Sequence, residues 1–251
     1  MKLNTRKKEE MITYNTAGRI GNQLFQYTIA RLLAEKIGFE LGHQYDWNDT
    51  ITATPLKPGK RYSNDPITIV EKIDTGNILE RKYEKRHYHL SGFWQEAHYY
   101  IPYREQILGF FNEKATTKTD KENIVMHVRL SDYKIFGKGG TVLDPSYYLE
   151  CLEFEKFGEL FIITDAPNDE YFNVFYKYHP IFNYGTEKQD FWFMTEFDRI
   201  ICGNSCFSWW AAFLSNATKI FTPECWIRNS DNIKHDLLTG ITMGARFKDY
   251  V

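Results

Sequence analysis

The sequence lacks the short motifs that mark several large enzyme classes. It contains no G-x-x-x-x-G-K-[ST] phosphate loop, no G-x-S-x-G nucleophile turn and no H-E-x-x-H zinc helix. These absences argue against nucleoside-triphosphate hydrolysis, serine-hydrolase chemistry and zinc proteolysis. The histidines and cysteines show no ligand spacing, and no D-x-D follows a predicted strand, so we expect no metal.

Long apolar runs, cysteine and net charge are also scarce. No run of 18 apolar residues exists, and the charged start MKLNTRKKEE is not a signal peptide, so we expect a cytoplasmic protein that has at most peripheral contact with a membrane. The four cysteines form no C-x-x-C pair, which favours buried thiols. A net charge of −2 over 251 residues gives no reason to expect nucleic acid as a partner. The oligomeric state is left open.

The most informative stretch runs from Asp190 to Leu214. The apolar run Ile200–Cys202, the turn Gly203–Ser205 and a second apolar run predict a strand, a tight turn and a helix. Ser205 and Ser208 occupy the N-cap and the first turn of that helix. The unpaired N–H groups of a helix start can bind an anion, whereas serines at these positions can also serve only as caps. The pattern leaves these two interpretations equal.

A similar unit is predicted at the start of the chain. Residues 11–17 favour a strand, Gly18–Gln23 a glycine-punctuated turn, and the apolar spacing that follows a helix up to Ile37, with Gly38 as its stop. Many Rossmann-like domains begin in this way, but the G-x-x-G spacing is not a dinucleotide fingerprint. The two glycines can let a ligand approach the backbone or simply form the turn.

The second half alternates predicted strands and helices, which indicates a doubly wound parallel sheet. Its first strand, 123–130, carries His127 and Arg129 on one face near its carboxyl end, and Asp132 follows in the turn. Ligands of such sheets bind beyond the carboxyl ends of the strands. Arg129 and the turn 203–205 are therefore expected to hold a nucleotide diphosphate.

Two further elements of the second half are a helix at Pro145–Phe154 and a strand at Leu160–Thr164. The strand ends in Asp165, which can either serve a ligand or cap the helix that follows. The loop 137–140 is rich in glycine, and the polar segment 114–122 is expected to link the two halves.

An aromatic region precedes this linker. Phe93, Trp94 and Gln95 suit a carbohydrate, because sugar C–H faces stack on rings and sugar hydroxyls bond to amides. The same residues also suit an ordinary core. Residues 71–89 show no clear period, and their histidines show no ligand spacing.

Four motifs occur in an order that resembles one enzyme family. They are GRIGNQLFQY at 18–27, GFWQ at 92–95, HVRLSDY at 127–133 and NSCFSWW at 204–210. Together, over residues 11–230, they resemble the α-1,2-fucosyltransferases, glycosyltransferase family 11.

The resemblance implies an α/β fold of the GT-B type, with two Rossmann-like halves facing a central cleft. The acceptor-side half would span residues 11–118 and the nucleotide-sugar half 122–235, with 236–251 as a C-terminal segment that packs back on the first half. The implied reaction is a metal-independent, inverting transfer of L-fucose from GDP-β-L-fucose to the 2-hydroxyl of a galactoside in glycan biosynthesis. No cofactor is implied beyond the nucleotide sugar.

The resemblance also implies roles for residues. Arg129, His127 and Asp132 form the expected catalytic group, with Arg129 on the diphosphate. The expected donor-binding residues are Gly21, Asn22, Gln23, Asp165, Asp190, Asn204, Ser205 and Ser208. The expected acceptor-binding residues are Phe93, Trp94 and Gln95. His127 and Asp132 are the candidate bases, although Asp132 can equally just orient Arg129.

Two positions depart from the family pattern. Leu130 stands where a second arginine is usual, and strand alternation turns that position away from Arg129. Ala166 stands where a second aspartate is usual, which removes a carboxylate near the base or ribose. The alternatives are therefore another sugar-nucleotide donor on the same fold, or a carbohydrate-binding protein with a degenerate site.

Overall fold

Parallel strands alternate with helices throughout the fold. The computed structural model describes residues 10–42, 66–71, 77–112, 115, 119–135, 141–154 and 156–223. The predicted glycine-rich loop 137–140 and the segment 236–251 lie outside the described residues, as do residues 114 and 116–118 of the linker. Within the described residues, no helix is long and apolar enough to cross a membrane.

The helices are α1 Ile20–Ile37, α2 Arg104–Leu108, α3 Pro145–Phe154, α4 Glu187–Met194 and α5 Cys206–Leu214. The strands are β1 Met11–Tyr14, β2 Glu40–Leu41, β3 Ile67–Val70, β4 His87–Ser91, β5 Ile124–Val128, β6 Leu160–Thr164, β7 Ile181–Asn183, β8 Arg199–Ile201 and β9 Lys219–Phe221. The bounds of α3 and β6 agree with the prediction. The stop of α1 is also confirmed, because Gly38 adopts the left-handed conformation with φ 73°.

The first sheet has the order β2-β1-β4-β3, and all its pairs are parallel. Two of its strands, β3 and β4, were not predicted from the sequence. In β4 the side chains of His87, His89 and Ser91 alternate with Tyr88 and Leu90, and His87 is buried. A strand whose polar face is partly buried does not show the usual contrast between an apolar inside and a polar outside.

The second sheet confirms the predicted doubly wound arrangement. Its order is β7-β6-β5-β8-β9, again with all pairs parallel. Counted along the chain within this sheet, the order is 3-2-1-4-5, which is that of a Rossmann fold. The order reverses between β5 and β8, so the carboxyl ends of these two strands form the topological switch point.

Helix α5 follows a strand of the second sheet but packs into the core beside the first sheet. The ring of Phe25 in α1 lies 4.8 Å from the ring of Trp209 and 5.0 Å from that of Trp210, between centroids. Tyr100 packs against both tryptophans, at 6.1 and 5.6 Å. The tryptophans are fully buried. Each large buried ring contributes about 1.5–3 kcal/mol or more, so this cluster anchors α5 firmly to α1.

The starts of α1 and α5 meet at Gly21. A Cβ atom at this position would lie 2.6 Å from the carbonyl carbon of Cys206 and from the nitrogen of Phe207. Both are backbone atoms at the beginning of α5, and they cannot move as a flexible side chain can. Glycine is therefore required for this close contact.

We expect the substitution Gly21→Ala to destabilise the protein by about 1–3 kcal/mol. The higher helix propensity of alanine offsets up to about 1 kcal/mol, but a methyl group cannot fit against the backbone of α5. Urea unfolding measures the change, and NMR signals of the Trp209 and Trp210 indoles should shift with it.

The control variant is Gly38→Ala. A Cβ at Gly38 would meet none of the described atoms within 4 Å, so only the left-handed backbone is penalised, by about 1 kcal/mol. Its indole signals should stay in place. A Gly21→Ala protein as stable as the wild type would contradict the close contact.

Candidate functional site

A cleft lies at the carboxyl ends of β5 and β8, where the second sheet reverses its strand order. It comprises a cavity of about 580 Å³ and a smaller one of about 290 Å³. The residues that line both cavities are Gly18, Arg19, Ile20, Arg129, Glu187 and Phe207. The cleft therefore lies between the beginning of α1 and the switch point of the second sheet.

Arg129 is held in place by Asp132. Its Nε and Nη2 groups each donate a hydrogen bond of 2.9 Å to a different carboxylate oxygen of Asp132. The side chain of Arg129 is 13% exposed, and its guanidinium lies 5.5 Å from the ring centroid of Tyr133. Nη1 of Arg129 has no hydrogen-bond partner among the described residues, so one donor group remains for a ligand.

Asp132 lies between two arginines. Nη2 of Arg19 is 3.4 Å from Oδ2 of Asp132, the oxygen that also accepts from Nη2 of Arg129. The hydrogen bonds from Arg129 and the charges of both arginines lower the pKa of the Asp132 carboxyl. Asp132 is therefore ionised and firmly paired, which suits a residue that orients Arg129 better than one that takes a proton.

The turn after β8 is shaped by hydrogen bonds from both sides. Ser205 caps α5 as predicted, because its hydroxyl accepts from the N–H of Phe207 at 3.3 Å. The hydroxyl of Tyr133 donates to the carbonyl of Asn204 at 2.9 Å, and the amide of Asn204 donates to the carbonyl of Thr141 at 2.8 Å. The turn is thus fixed by the segment that follows Arg129.

Ser208 is placed differently from Ser205. It is fully buried, and its hydroxyl bonds to the carbonyl oxygens of Gly203 and Ser205 at 3.2 and 3.0 Å. It stabilises the turn from inside the helix and does not line either described cavity. Ser205 lines the smaller one.

Two helices begin at this cleft without acidic side chains in their first turns, and the structure describes both in full. They are α1 and α5. Acidic residues usually offset the partial positive charge of a helix start, and here that charge remains directed at the cleft. Gly21 and Asn22 line the smaller cavity and Gln23 the larger one.

His127 is buried beside the cleft. Its ring stacks on that of Phe207 at 5.2 Å, and it lines the larger cavity. Its Nδ1 atom has no hydrogen-bond partner in the described part of the chain. Burial, together with the charge of Arg129, lowers the pKa of His127 to about 4, so the ring is neutral at neutral pH. A neutral ring can contact a ligand but is a weak proton acceptor.

Asp165 and Asp190 both line the larger cavity. Oδ1 of Asp165 accepts from the N–H groups of Leu130 and Ser131 at 2.9 and 3.3 Å, and so supports the turn after Arg129. The alternative of a helix cap is wrong for Asp165, because Asp169 caps the next helical segment. Asp190 accepts from Asn183 and from the N–H of Gly185, and burial raises its pKa.

The predicted aromatic group divides between core and surface. Trp94 is 1% exposed and packs in the core, so its ring offers no face to a sugar. Phe93 is 44% exposed. The amide of Gln95 donates to Oδ1 of Asn22 at 2.6 Å and to Sγ of Cys206 at 3.0 Å, which ties this loop to both helix starts.

Arg19, Tyr133, Glu187 and Phe207 also line the cleft, although no role was predicted for them. A signal for Arg19 exists in the sequence, because a basic residue directly before a helix start is electrostatically unfavourable unless it has another purpose. Leu130 is buried among the apolar residues of the second half and lines neither described cavity. Of the cysteines expected to be buried, Cys151 and Cys202 are buried and Cys206 is half-buried.

The pKa of His127 predicts a change of stability with pH. Between pH 6.5 and 4 the unfolded chain binds a proton at His127 and the folded chain does not, so the free energy of unfolding should fall as the pH is lowered, by up to about 3 kcal/mol. His127→Gln should reduce this slope, as measured by urea unfolding from pH 7 to pH 4. Asp132 and Asp190 titrate in both proteins, so the difference isolates His127. Equal slopes in the wild type and His127→Gln would contradict the lowered pKa of His127. The control is His98→Gln, at an exposed position, which should keep the wild-type slope.

No protein-family model matches the chain. The chain is 22% identical over 276 residues to an α-1,2-colitosyltransferase from Escherichia coli, an alignment that covers 88% of this chain and 94% of the relative.

Two solved structures have a similar fold. One is NodZ α-1,6-fucosyltransferase soaked with GDP-fucose, with a TM-score of 0.52 and 11% identity, covering 86% of this chain and 95% of that one. The other is a mutant of Arabidopsis thaliana FUT1 in complex with GDP, with a TM-score of 0.52 and 10% identity. This match covers 91% of this chain and 74% of that one. These comparisons agree with the resemblance found in the sequence: the chain is a glycosyltransferase of GT-B-like fold, similar in sequence to an α-1,2-colitosyltransferase.

Proposed function

We propose that this chain transfers L-fucose, with inversion, from GDP-β-L-fucose to the 2-hydroxyl of a galactoside, without a metal ion. The single observation that carries the proposal is the position of Arg129. Its unpartnered Nη1 group lies at the switch point of the Rossmann-like sheet, beside the start of α5. This is where such sheets bind nucleotides, and arginine and a helix start are complementary to phosphate.

Positive charge in the cleft takes the place of a metal ion in this mechanism. Arg19 and Arg129 both contact the carboxylate of Asp132, and two helix starts point to the cleft. Among the described residues, no group of three or more His, Cys, Asp or Glu side chains could hold a metal ion. Two guanidinium groups supply the charge that neutralises a departing diphosphate.

The proposed reaction is a direct displacement. The acceptor oxygen forms a bond to the anomeric carbon and its proton passes to solvent, while the bond from that carbon to the diphosphate oxygen breaks and its electron pair leaves with the diphosphate. Nη1 of Arg129 and the start of α5 stabilise the developing negative charge. Asp132 holds Arg129 in its orientation, so that the donor group needs no rearrangement during the reaction.

His127 and Asp190 have supporting roles in this proposal. The neutral ring of His127 contacts the nucleotide beside Phe207. Asp190 lines the larger cavity, where its second oxygen can accept a hydrogen bond from a ribose or base. The 580 Å³ of this cavity is within the range of small-molecule sites.

A second donor is favoured by one specific observation. The similar E. coli protein is a colitosyltransferase, and colitose is L-fucose without its 3-hydroxyl. A site that bonds to that hydroxyl strongly rejects the deoxy sugar, whereas an apolar site discriminates little. Ala166, where the family usually has an aspartate, packs against the core of the second half and lines neither described cavity, so the choice between the two donors rests on other residues.

The substitution Arg129→Ala should weaken GDP binding about 10- to 100-fold and abolish transfer, because a charge-assisted bond to phosphate is lost and Asp132 is left with one arginine. Isothermal titration calorimetry with GDP measures the affinity. The GDP affinity of Arg129→Lys should lie between those of the wild type and Arg129→Ala. A lysine retains the charge but cannot bond to Asp132 and to a phosphate with one planar fork.

The matched control is Arg86→Ala, at an exposed position outside the cleft, and it should bind GDP as the wild type does. Circular dichroism should show that all the variants are folded. Near-normal GDP affinity in folded Arg129→Ala would remove the phosphate role and, with it, the basis of the proposal.

Product analysis tests donor and acceptor together. The enzyme is incubated with GDP-fucose, GDP-colitose or a set of UDP-sugars, each with a panel of β-galactosides and EDTA. We expect an α-1,2-linked product whose formation EDTA does not diminish, and linkage is determined by NMR. A β-linked product would refute inversion. Product from UDP-sugars alone would refute the proposal that the donor is a GDP-sugar. A preference for GDP-colitose would select the second donor.

A further inference from the structure

A chain of hydrogen bonds links β1 and β4 and ends at the carboxyl ends of these two strands. Oγ1 of Thr13 lies 2.8 Å from Nε2 of His87 and 3.0 Å from Nδ1 of His89. Nε2 of His89 lies 2.7 Å from Oδ1 of Asn15, and the amide nitrogen of Asn15 donates to the hydroxyl of Ser91 at 3.3 Å. The chain thus leads from a buried histidine to an exposed asparagine.

The inner part of this chain holds the outer part in a fixed orientation. Thr13 and His87 are buried, while His89 and Ser91 are half-buried and Asn15 is exposed. The hydroxyl of Thr13 has a single proton for three possible acceptors, the two rings and the carbonyl oxygen of Tyr88 at 3.4 Å, so at least one ring must donate to it. His89 is therefore fixed by a partner on each ring nitrogen, and such support is typical of a binding residue.

The position of this chain is also that of a ligand crevice. The strand order of the first sheet is β2-β1-β4-β3, so β1 has β2 on one side and the later strands on the other. The strand order therefore reverses between β1 and β4, although the strands themselves are parallel. Ligands of open parallel sheets bind beyond the carboxyl ends of the strands at such a point. Asn15 and Ser91 directly follow or end these two strands.

The two loops that leave this point both contact the beginning of α1, which lines the donor cleft. The N–H of Ala17 donates to Oε1 of Gln26, and the amide nitrogen of Gln26 donates to the carbonyl of Gly92. Gln95 in the second loop bonds to Asn22, a residue of the smaller cavity. The polar chain therefore leads towards the cleft along both loops.

We propose that Asn15, His89 and Ser91 form the binding site for a hydroxyl-rich pyranoside, the acceptor sugar. The proposal rests on the function proposed above and names the acceptor side of that site. An amide, an imidazole and a hydroxyl in one row can each exchange their mutual hydrogen bonds for bonds to sugar hydroxyls.

Phe93 supplies the apolar part of this site. It lies two residues beyond Ser91, its ring is 44% exposed, and its N–H is fixed by a 2.7 Å hydrogen bond to Oε2 of Glu71. Aromatic rings bind the C–H face of a pyranose while polar groups bind its hydroxyls. Of the three residues predicted to bind the acceptor, Phe93 is the one that this site uses.

The variants His89→Ala, Asn15→Ala and Ser91→Ala test the site in the full chain. Each should lower kcat/KM for the acceptor about tenfold or more, because hydrogen bonds to the sugar are lost, while GDP affinity stays at the wild-type value. The exposed residue Asn15 keeps the test decisive should His89→Ala fail to fold. The control His98→Ala, at an exposed histidine paired with Glu96, should keep wild-type kinetics.

Direct sugar binding is measured separately by saturation-transfer NMR, with methyl β-pyranosides of galactose, glucose, mannose and N-acetylglucosamine and without any nucleotide. The wild type should give a signal with at least one sugar, and the three variants should lose it. No signal in the wild type, or unchanged acceptor kcat/KM in the folded variants, would overturn the site. Failure of the wild type to bind GDP would instead refute the proposed donor, and the NMR result does not depend on it.

Discussion

The contact between the starts of α1 and α5 at Gly21 is the constraint on which the rest of the structure depends. The two helices belong to different sheets, and without a side chain at Gly21 their backbones approach each other closely. The cluster around Phe25, Trp209 and Trp210 holds this contact from the core side. Because both helix starts face the cleft, the contact that fixes the fold also fixes the two sources of positive potential relative to each other.

The ion pairs of the cleft follow from the same geometry. Arg19 comes from the start of α1 and Arg129 from the end of β5, and Asp132 lies between them. Without a ligand, two guanidinium groups facing each other would repel, and Asp132 removes that cost. In the proposed reaction a diphosphate brings further negative charge to Nη1 of Arg129, so the pair with Asp132 need not break. The same pairing makes Asp132 a poor base.

The sequence predicted the second sheet better than the first, for a physical reason. Strands β5 and β6 are apolar except for His127 and Thr164, and Pro145 marks the start of α3. Strand β4 instead has a polar face whose bonds are made across the sheet to Thr13, a partner 76 residues away from His89. No local pattern reports such a bond. The local sequence also could not show that Ser208 and Trp94 are buried, because their burial depends on packing between distant elements.

The first two turns of α1 are a wall shared by both proposed sites. On one side Gly21 and Asn22 line the smaller cavity, and on the other Gln26 bonds to the loop that carries Phe93. The distance between donor and acceptor is then set by a single helix rather than by a hinge. A rigid wall favours catalysis by proximity, because the reacting groups lose their freedom of motion when they bind and not at the moment of reaction. Acceptor specificity can then change through residues at the ends of β1 and β4 without altering the phosphate turn at α5.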